Sequence, residues 1–193
     1  MIRIVVVDDH PAMRTGLRTV LDAEPGLVFV GDSAGDEESL WPLLASVDPD
    51  LVLLDYHLPH GDGLQLCHAI KRAVLAPKVL VHSAYAGGAL AVPARIAGAD
   101  GLVDKGIGAR ELFEAIRVVY GGERLLPPVS PSLLRELYER IDVGDRPILG
   151  LLLNDSSASE AAAALGIELG DVHGAVRRML GRLRVEVPAA RGM

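Results

Sequence analysis

Two kinds of apolar pattern alternate along the first two thirds of the chain. Short continuous runs rich in valine and leucine predict strands buried on both faces, and apolar residues spaced three or four positions apart predict amphipathic helices. The runs occupy residues 2–8, 27–33, 50–55, 78–83 and 101–104, and helical segments follow them at 11–23, 36–47, 61–74, 89–99 and 109–122. This α/β alternation predicts a five-stranded, doubly wound parallel sheet with helices on both faces.

A change of composition separates this part from the rest of the chain. Residues 121–131 (GGERLLPPVSP) are rich in Gly and Pro, as linkers are, and a helical stripe follows over 132–141. Helical segments at 146–153, 158–166 and 170–185 then predict a small all-α domain, in which Ser157 and Glu160 have the spacing of a capping box. A helix, a short turn with Gly and a second helix form the helix-turn-helix pattern. We therefore divide the chain into residues 1–121, a linker with a helix at 122–141, and a helix-turn-helix domain at 142–193.

Bulk composition narrows the class of protein. Half of the 193 residues are apolar, which is enough for a packed core, and no apolar run approaches the roughly 20 residues that span a membrane. The start MIRIVVVDD does not fit a signal peptide. A single cysteine, Cys67, excludes an internal disulfide and fits a reducing compartment. These observations predict a cytoplasmic protein without membrane contact.

The net charge of −7 is unevenly distributed. Residues 1–141 carry 13 basic and 19 acidic residues, whereas residues 142–193 carry 6 and 7. The acidic surplus argues against non-specific nucleic-acid affinity in the first part. A cluster of Arg177, Arg178, Arg182 and Arg184 leaves such affinity open for the C-terminal part. A solvated helix face explains the same arginines equally well.

Five polar residues stand at or just past the ends of the apolar runs. They are Asp8, Asp9, Asp55, Ser83 and Lys105. The carboxyl ends of parallel strands share one edge of a sheet, where ligands usually bind. Clustered carboxylates repel each other unless a cation joins them, and Mg²⁺ prefers oxygen ligands and phosphate oxygens. The set predicts a site for one Mg²⁺ ion and one phosphoryl group.

The residue types suggest a different role for each side chain at that site. Asp55 ends the central strand and is the candidate nucleophile, since a carboxylate can form an acyl phosphate once the phosphoryl oxygens are neutralised. Lys105 supplies positive charge opposite the metal, and Ser83 can donate a hydrogen bond to a phosphoryl oxygen after transfer. Each residue alone is more often a helix cap or an ordinary surface residue. The interpretation depends on all five falling at strand ends.

Residues 1–121 resemble the receiver domain of bacterial two-component response regulators. The resemblance is carried by VVDDH, LLDYHLPHGDGL, VHSAY and GADGLVDK. It implies that a sensor histidine kinase phosphorylates Asp55, that Mg²⁺ binds Asp8, Asp9, Asp55 and the backbone carbonyl of His57, and that Ser83 and Lys105 contact the phosphoryl group. It also implies a phosphoacceptor protein rather than an enzyme, with at most slow autodephosphorylation.

Three positions near this receiver-like site bear on how the signal leaves it and how long the phosphoryl group lasts. The family often has an aromatic residue three positions before the lysine, where this chain has Leu102. Rotation of an aromatic ring at that position therefore cannot carry the signal. His57 and Tyr85 occupy the positions that flank the attacking water in the family, and their bulk suggests slow loss of the phosphoryl group.

The order of receiver, linker and helical domain resembles the NarL/FixJ class, whose output is a LuxR-type helix-turn-helix. The supporting residues are LGI at 165–167, Val172 and Val176, and the Leu180–Leu183–Val185 ending. This resemblance implies promoter DNA as a partner and a homodimer, because such domains read two half-sites. The candidate DNA contacts are His173, Arg177, Arg178 and Arg182.

Two alternatives remain open on the residues. The family commonly has Thr, Lys and His where this chain has Asp171, His173 and Ala175, and Asp171 would repel DNA phosphate. A degenerate C-terminal domain that acts through protein contacts therefore competes with direct DNA binding. A phosphatase with an aspartyl nucleophile is a third hypothesis, but such enzymes carry a second Asp two residues after the nucleophile, where this chain has His57.

Overall fold

A computed structural model describes residues 1–59 and 61–185 of the chain. Five parallel strands form one sheet in the order β2-β1-β3-β6-β7. Their bounds are β1 Ile2–Val7, β2 Leu27–Ser33, β3 Leu51–Asp55, β6 Lys78–Ser83 and β7 Gly101–Asp104. Strands β4 (His57–Leu58) and β5 (Gly61–Asp62) pair as a small antiparallel ribbon beside the end of β3. The predicted doubly wound α/β sheet is confirmed.

Helices cover both faces of the sheet because alternate strand residues point to opposite sides. The connecting helices are α1 Pro11–Ala23, α2 Glu37–Val47, α3 Gly63–Lys71, α4 Gly88–Ala97 and α5 Ala109–Tyr120. Ile4 and Val6 face a core that includes Ile116 of α5, whereas Val5 and Val7 face a core that includes Leu90 of α4. The strand order reverses between β1 and β3, so the crevice at their carboxyl ends is where such sheets bind ligands.

Within residues 121–185, four helices and one 3-10 turn follow the sheet. They are α6 Pro131–Glu139, the 3-10 turn Val143–Asp145, α7 Arg146–Leu153, α8 Ala158–Leu165 and α9 Leu169–Arg182. The predicted capping box is confirmed, since Ser157 Oγ accepts the N–H of Glu160 at 3.2 Å and the Glu160 carboxylate accepts the N–H of Ser157 at 2.7 Å. Gly166 ends α8 in the left-handed conformation, as glycine readily does. Residues 186–193 of the predicted C-terminal domain lie outside the described residues, as does His60.

The C-terminal helices lie against the α3–α4 side of the sheet. Buried residues of α4, such as Val92, and of α9, such as Val172 and Val176, belong to one continuous apolar core. Within the described residues no helix combines the length and the apolar character needed to cross a membrane. Helix α9, which carries the candidate DNA contacts, is therefore part of the interface with the receiver-like part.

The predicted helix at 61–74 is shorter in the structure, and the reason concerns the site. Residues 61–62 pair in the ribbon instead, and Asp62 caps α3 by accepting the N–H of Leu64 at 2.8 Å. The first helical residue, Gly63, donates its N–H to the carbonyl oxygen of Tyr56 at 2.9 Å. Helix α3 therefore begins directly against the end of β3, where Asp55 stands.

We expect Gly63→Ala to reduce the free energy of unfolding by about 1–3 kcal/mol through overpacking. A Cβ atom at this position would overlap the carbonyl oxygen of Asp55 and lie 2.9 Å from Cα of Tyr56, both of which belong to the backbone. Gly150→Ala in α7 is the matched control, since a Cβ there meets no atom within 4 Å. Urea unfolding should show the control unchanged or up to about 1 kcal/mol more stable. Equal behaviour of the two variants would contradict the close approach.

Candidate phosphoryl and metal site

Three charged side chains meet at the carboxyl ends of β1, β3 and β7. The Lys105 ammonium lies 2.6 Å from Oδ2 of Asp8 and 2.8 Å from Oδ2 of Asp55. Asp8 and Asp55 are only 2% and 3% exposed, and Lys105 is 15% exposed. One cation thus bridges two buried carboxylates that come from strands adjacent in the sheet.

Asp9 and His10 complete an acidic pocket beside this bridge. Asp8, Asp9, His10 and Asp55 each offer one possible ligand atom, and these atoms lie within 4.8 Å of one another. Nδ1 of His10 also lies 2.6 Å from Oδ1 of Asp9. Three carboxylates grouped in this way form the oxygen-rich set that Mg²⁺ prefers, so the residues fit a magnesium ion. His10 was not among the site residues predicted from the sequence, although its position directly after Asp8 and Asp9 was a usable signal.

Burial and neighbouring charges set the proton affinities of the bridge. Burial raises the pKa of Asp55, and the Lys105 ammonium and the N–H of His57 only partly offset that effect. Burial alone would lower the pKa of Lys105, but its contacts with Asp55 and Asp8 raise the pKa overall. Lys105 therefore stays charged. An additional cation in the pocket would further stabilise the ionised form of Asp55, whose burial Lys105 only partly offsets.

Ser83, His57 and Tyr85 surround the same pocket. Ser83 is fully buried at the end of β6, its Oγ accepts the N–H of Tyr85 at 3.1 Å, and its carbonyl accepts the N–H of Lys105 at 2.9 Å. The N–H of His57 points to Oδ1 of Asp55 at 3.2 Å. The His57 and Tyr85 rings have their centroids 6.3 Å apart, so the two side chains stand together at the mouth of the site.

The position that is often aromatic in receivers is filled by a core residue. Leu102 is 4% exposed and belongs to the apolar core on the α4 side of the sheet. Its N–H donates to the carbonyl of Leu125 at 2.8 Å. Because residue 102 is a leucine held in the core, no aromatic ring at this position can turn between solvent and core.

Tyr56 instead connects the site to the C-terminal end of the described chain. It follows Asp55 directly, its side chain is buried, and its hydroxyl donates to the carbonyl of Val185 at 3.2 Å and accepts the N–H of Val185 at 3.0 Å. The Tyr56 ring also meets the His57 ring edge-on at 4.9 Å between centroids. Sequence reasoning missed this contact, and nothing in the local sequence signals it.

The candidate DNA contacts lie on α9, and most of them have partners within the chain. His173 faces His68 of α3, with ring centroids 5.1 Å apart. Arg178 forms two hydrogen bonds with Asp145, at 2.7 and 3.1 Å, and Arg182 lies 2.7 Å from Asp142. The Arg177 side chain is exposed, while its carbonyl accepts a hydrogen bond from Gln65 at 3.1 Å. In this conformation α9 therefore contacts the receiver-like part.

Comparison with known proteins agrees with this geometry. Residues 4–117 match the sequence profile of the response regulator receiver domain. The chain is 30% identical to the DNA-binding transcriptional activator DevR/DosR of Mycobacterium tuberculosis, over 96% of this chain and 90% of that protein. It is also 30% identical to the nitrate/nitrite response regulator NarL of Escherichia coli, over 95% of this chain and 89% of that protein.

Solved structures give the same assignment. A LuxR-family two-component response regulator from Aurantimonas sp. SI85-9A1 is 32% identical, with a TM-score of 0.60, and the match covers 72% of this chain and 96% of that one. A structure of two RcsB dimers bound to two parallel DNAs is 21% identical, has a TM-score of 0.59, and covers 97% of this chain and 94% of that one, which supports the fold alone. Because the receiver profile covers more than half of the chain and its relatives align along nearly all of it, the chain belongs to the response regulators, of the NarL/LuxR type.

Proposed function

We propose that this response regulator accepts a phosphoryl group on Asp55 from a sensor histidine kinase. The observation that carries the proposal is the Lys105 ammonium held between Asp8 and Asp55, at 2.6 and 2.8 Å, in a buried acidic pocket. In this assignment Asp8, Asp9, Asp55 and the carbonyl of His57 hold Mg²⁺, and Ser83 and Lys105 contact the phosphoryl group. Residues 1–121 form the receiver, residues 122–141 the linker and residues 142–193 the output domain.

The proposed transfer is an in-line displacement at phosphorus. A carboxylate oxygen of Asp55 forms the new O–P bond while the N–P bond to the kinase histidine breaks, and the bonding electrons leave with the imidazole. Lys105 neutralises charge on the phosphoryl oxygens from one side, and bound Mg²⁺ would supply positive charge from the other. His57 and Tyr85 at the mouth restrict the approach of water, so the acyl phosphate is expected to decay slowly.

The proposed output is control of transcription by promoter binding as a homodimer. The relatives aligned along nearly the whole chain include proteins named as a DNA-binding transcriptional activator and as a response regulator. Helices α8 and α9 have the helix-turn-helix arrangement. Of the three arginines among the candidate contacts, Arg178 and Arg182 form ion pairs. Arg177 is exposed and forms no ion pair within residues 1–59 and 61–185, so it is free to contact DNA. The chain has no predicted membrane contact, and we assign it to the cytoplasm.

The Tyr56 contact suggests how phosphorylation reaches the output domain. Tyr56 is joined to the phosphoacceptor Asp55 and to His57, whose carbonyl is a candidate metal ligand. Movement of this backbone on phosphorylation would displace the Tyr56 hydroxyl from Val185, which lies just after α9. Undocking of α9 from α3 would then uncover His173 beside the already exposed Arg177, so that both could contact DNA.

We expect Tyr56→Phe to bind promoter DNA about five-fold more tightly than the wild type when no phosphodonor is present. Loss of a hydrogen-bonded pair costs on the order of 1 kcal/mol, which would weaken the docked state by that factor. Tyr120→Phe, an exposed tyrosine on α5, is the matched control and should leave affinity unchanged. Unaltered affinity of Tyr56→Phe would argue against this route of coupling.

We expect Arg177→Ala to weaken promoter binding and to reduce its salt dependence by about one unit of slope, as the loss of one phosphate contact does. Gel-shift titration with and without a phosphodonor measures both quantities. Arg110→Ala, which removes an exposed arginine from α5, controls for net charge. If the wild type binds no promoter DNA under either condition, the C-terminal domain acts through protein contacts, and the DNA-binding output is wrong.

A further inference from the structure

A second polar cavity lies between the receiver and the C-terminal helices, at the C-terminal ends of α3 and α4. Its volume is about 180 Å³. Helices α3 and α4 form one wall, and the start of α8 and the face of α9 form the other. Its polar lining consists of His68, Lys71, Arg72, Arg95, Arg124, Ser156, Ser157 and His173. No acidic residue is among the described residues that line it.

Nearby carboxylates do not balance the positive charge of this lining. Asp100 is shared by Lys71, at 2.9 Å, and by Lys78, at 3.1 Å. Asp155 is likewise shared by Arg95, at 3.1 Å, and by Arg124. Each carboxylate thus serves two cations, which leaves a surplus of positive charge around the cavity.

Arg72 adds to that surplus from the receiver side of the cavity. The described part of the chain offers it no ion pair, although it stands at the end of α3 next to the two histidines. Arg177 on α9 brings a like charge toward the same histidines from the other domain. Like charges that face each other across an interface oppose docking unless an anion lies between them.

Two imidazoles in the cavity each leave one buried nitrogen without a partner. His68 is 6% exposed and lines the cavity, and its Nε2 has no hydrogen-bond partner among the described residues. The same holds for Nδ1 of His173, whose ring centroid is 5.1 Å from that of His68. Burial, helped by His173, Arg72 and Arg177, lowers the pKa of His68 to about 4. A bound anion would offset the positive charges of Arg72 and Arg177 and so raise the pKa of His68. A metal ion is disfavoured at this place because the same arginines would repel it.

We propose that this interdomain cavity binds a small phosphate-type oxyanion between Arg72, Arg95, His68 and His173. Its volume is below the roughly 300 Å³ of sites that take drug-sized ligands, which favours a single phosphoryl group and water. Guanidinium groups match the oxygens of such an anion in charge and geometry. A bound anion would join α3 to α9 and strengthen the docking that covers His173. The site does not require phosphorylation of Asp55.

Calorimetric titration of the full, unphosphorylated chain with inorganic phosphate tests the proposal. The buffer lacks Mg²⁺ and is held at constant ionic strength, so that the Lys105 pocket and general screening do not contribute. We expect one phosphate per chain, with at least a ten-fold higher Kd in Arg72→Gln and in His173→Gln. Arg110→Gln, an exposed arginine away from the cavity, and Asp55→Asn should keep the wild-type Kd. This second control separates failure of the anion site from failure of the phosphoryl chemistry.

Histidine NMR locates the bound anion. Phosphate should shift the imidazole signals of His68 and His173 and raise their pKa, while leaving those of His82, which is close to Lys105, in place. Parallel titrations with methyl phosphate distinguish free phosphate from a small phosphate ester as the preferred source, and either preference supports the site. Absence of binding, an equal loss in Arg110→Gln, or shifts caused only by duplex DNA would overturn the proposal.

Discussion

A Lys105→Met variant is expected to lose about 3–5 kcal/mol of unfolding free energy at neutral pH without Mg²⁺, the cost of leaving a buried charge unpaired. The Lys105 ammonium lies between Asp8 and Asp55, which are 2% and 3% exposed, so its removal leaves two carboxylates facing each other away from water. Urea unfolding measures the loss. Mg²⁺ should restore part of it, because a ligand that binds the folded state stabilises that state.

Lys78→Met provides the matched control for this loss. Lys78 is also paired with a carboxylate, but it is 34% exposed and its partner Asp100 keeps a second contact with Lys71. We expect a change below about 1 kcal/mol there. Similar losses in both variants, or no recovery of Lys105→Met with Mg²⁺, would contradict the structural account of the pocket.

Asp55→Asn is expected to abolish phosphoryl uptake. Without Mg²⁺, the same variant should have a free energy of unfolding about 0.5–2 kcal/mol higher than the wild type, since replacing a strained active-site residue commonly stabilises a protein. Burial raises the pKa of Asp55, so the folded state binds a proton more readily than the unfolded state. In the window above the ordinary value of 3.8, stability is therefore lost as pH rises toward the folded pKa. The amide carries no charge and escapes this loss.

The pH dependence of that stabilisation is a check on its cause. The difference between Asp55→Asn and the wild type should be smallest in acid, should grow as pH rises through the folded pKa of Asp55, and should then stay constant. Chemical unfolding at a series of pH values measures it. A variant less stable than the wild type at neutral pH would show that the Lys105 contact outweighs the burial of Asp55.

The sheet and the positions of its polar strand ends could be predicted because both follow from local pattern. Continuous apolar runs fix the strands, and the residue after each run must lie at the shared edge, which accounts for Asp8, Asp55 and Lys105. The capping box at Ser157 and Glu160 is local in the same sense. Helix ends were less certain, as the start of α3 at Gly63 rather than at residue 61 shows.

The contacts between the two parts of the chain could not be predicted in this way. Tyr56 and Val185 are 129 positions apart, and the pairing of a tyrosine hydroxyl with a distant backbone group leaves no periodic signal. The packing of His68 against His173 depends on how two folded units meet. The sequence did identify Leu102 as a departure from the aromatic residue that receivers often have at this position. The structure shows that Leu102 is a buried core residue.

Contacts within the chain, one between the domains and two inside the C-terminal domain, also explain why the C-terminal residues could not be assigned from the sequence. On sequence alone, His173, Arg178 and Arg182 were candidate DNA contacts. In this conformation they instead contact His68, Asp145 and Asp142 respectively. His173 can contact DNA after undocking, so its role depends on the conformational equilibrium that phosphorylation is proposed to shift. Arg178 and Arg182 would instead have to exchange Asp145 and Asp142 of their own domain for DNA phosphate.

Intact-mass spectrometry after incubation with acetyl phosphate and Mg²⁺ tests the central claim most directly. The wild type is expected to gain the mass of one phosphoryl group, and the gain should disappear in Asp55→Ala or when Mg²⁺ is chelated. Asp104→Ala, at the exposed end of β7, should retain the gain. An unchanged wild-type mass, or a gain that persists in Asp55→Ala, would contradict Asp55 as the phosphoryl acceptor.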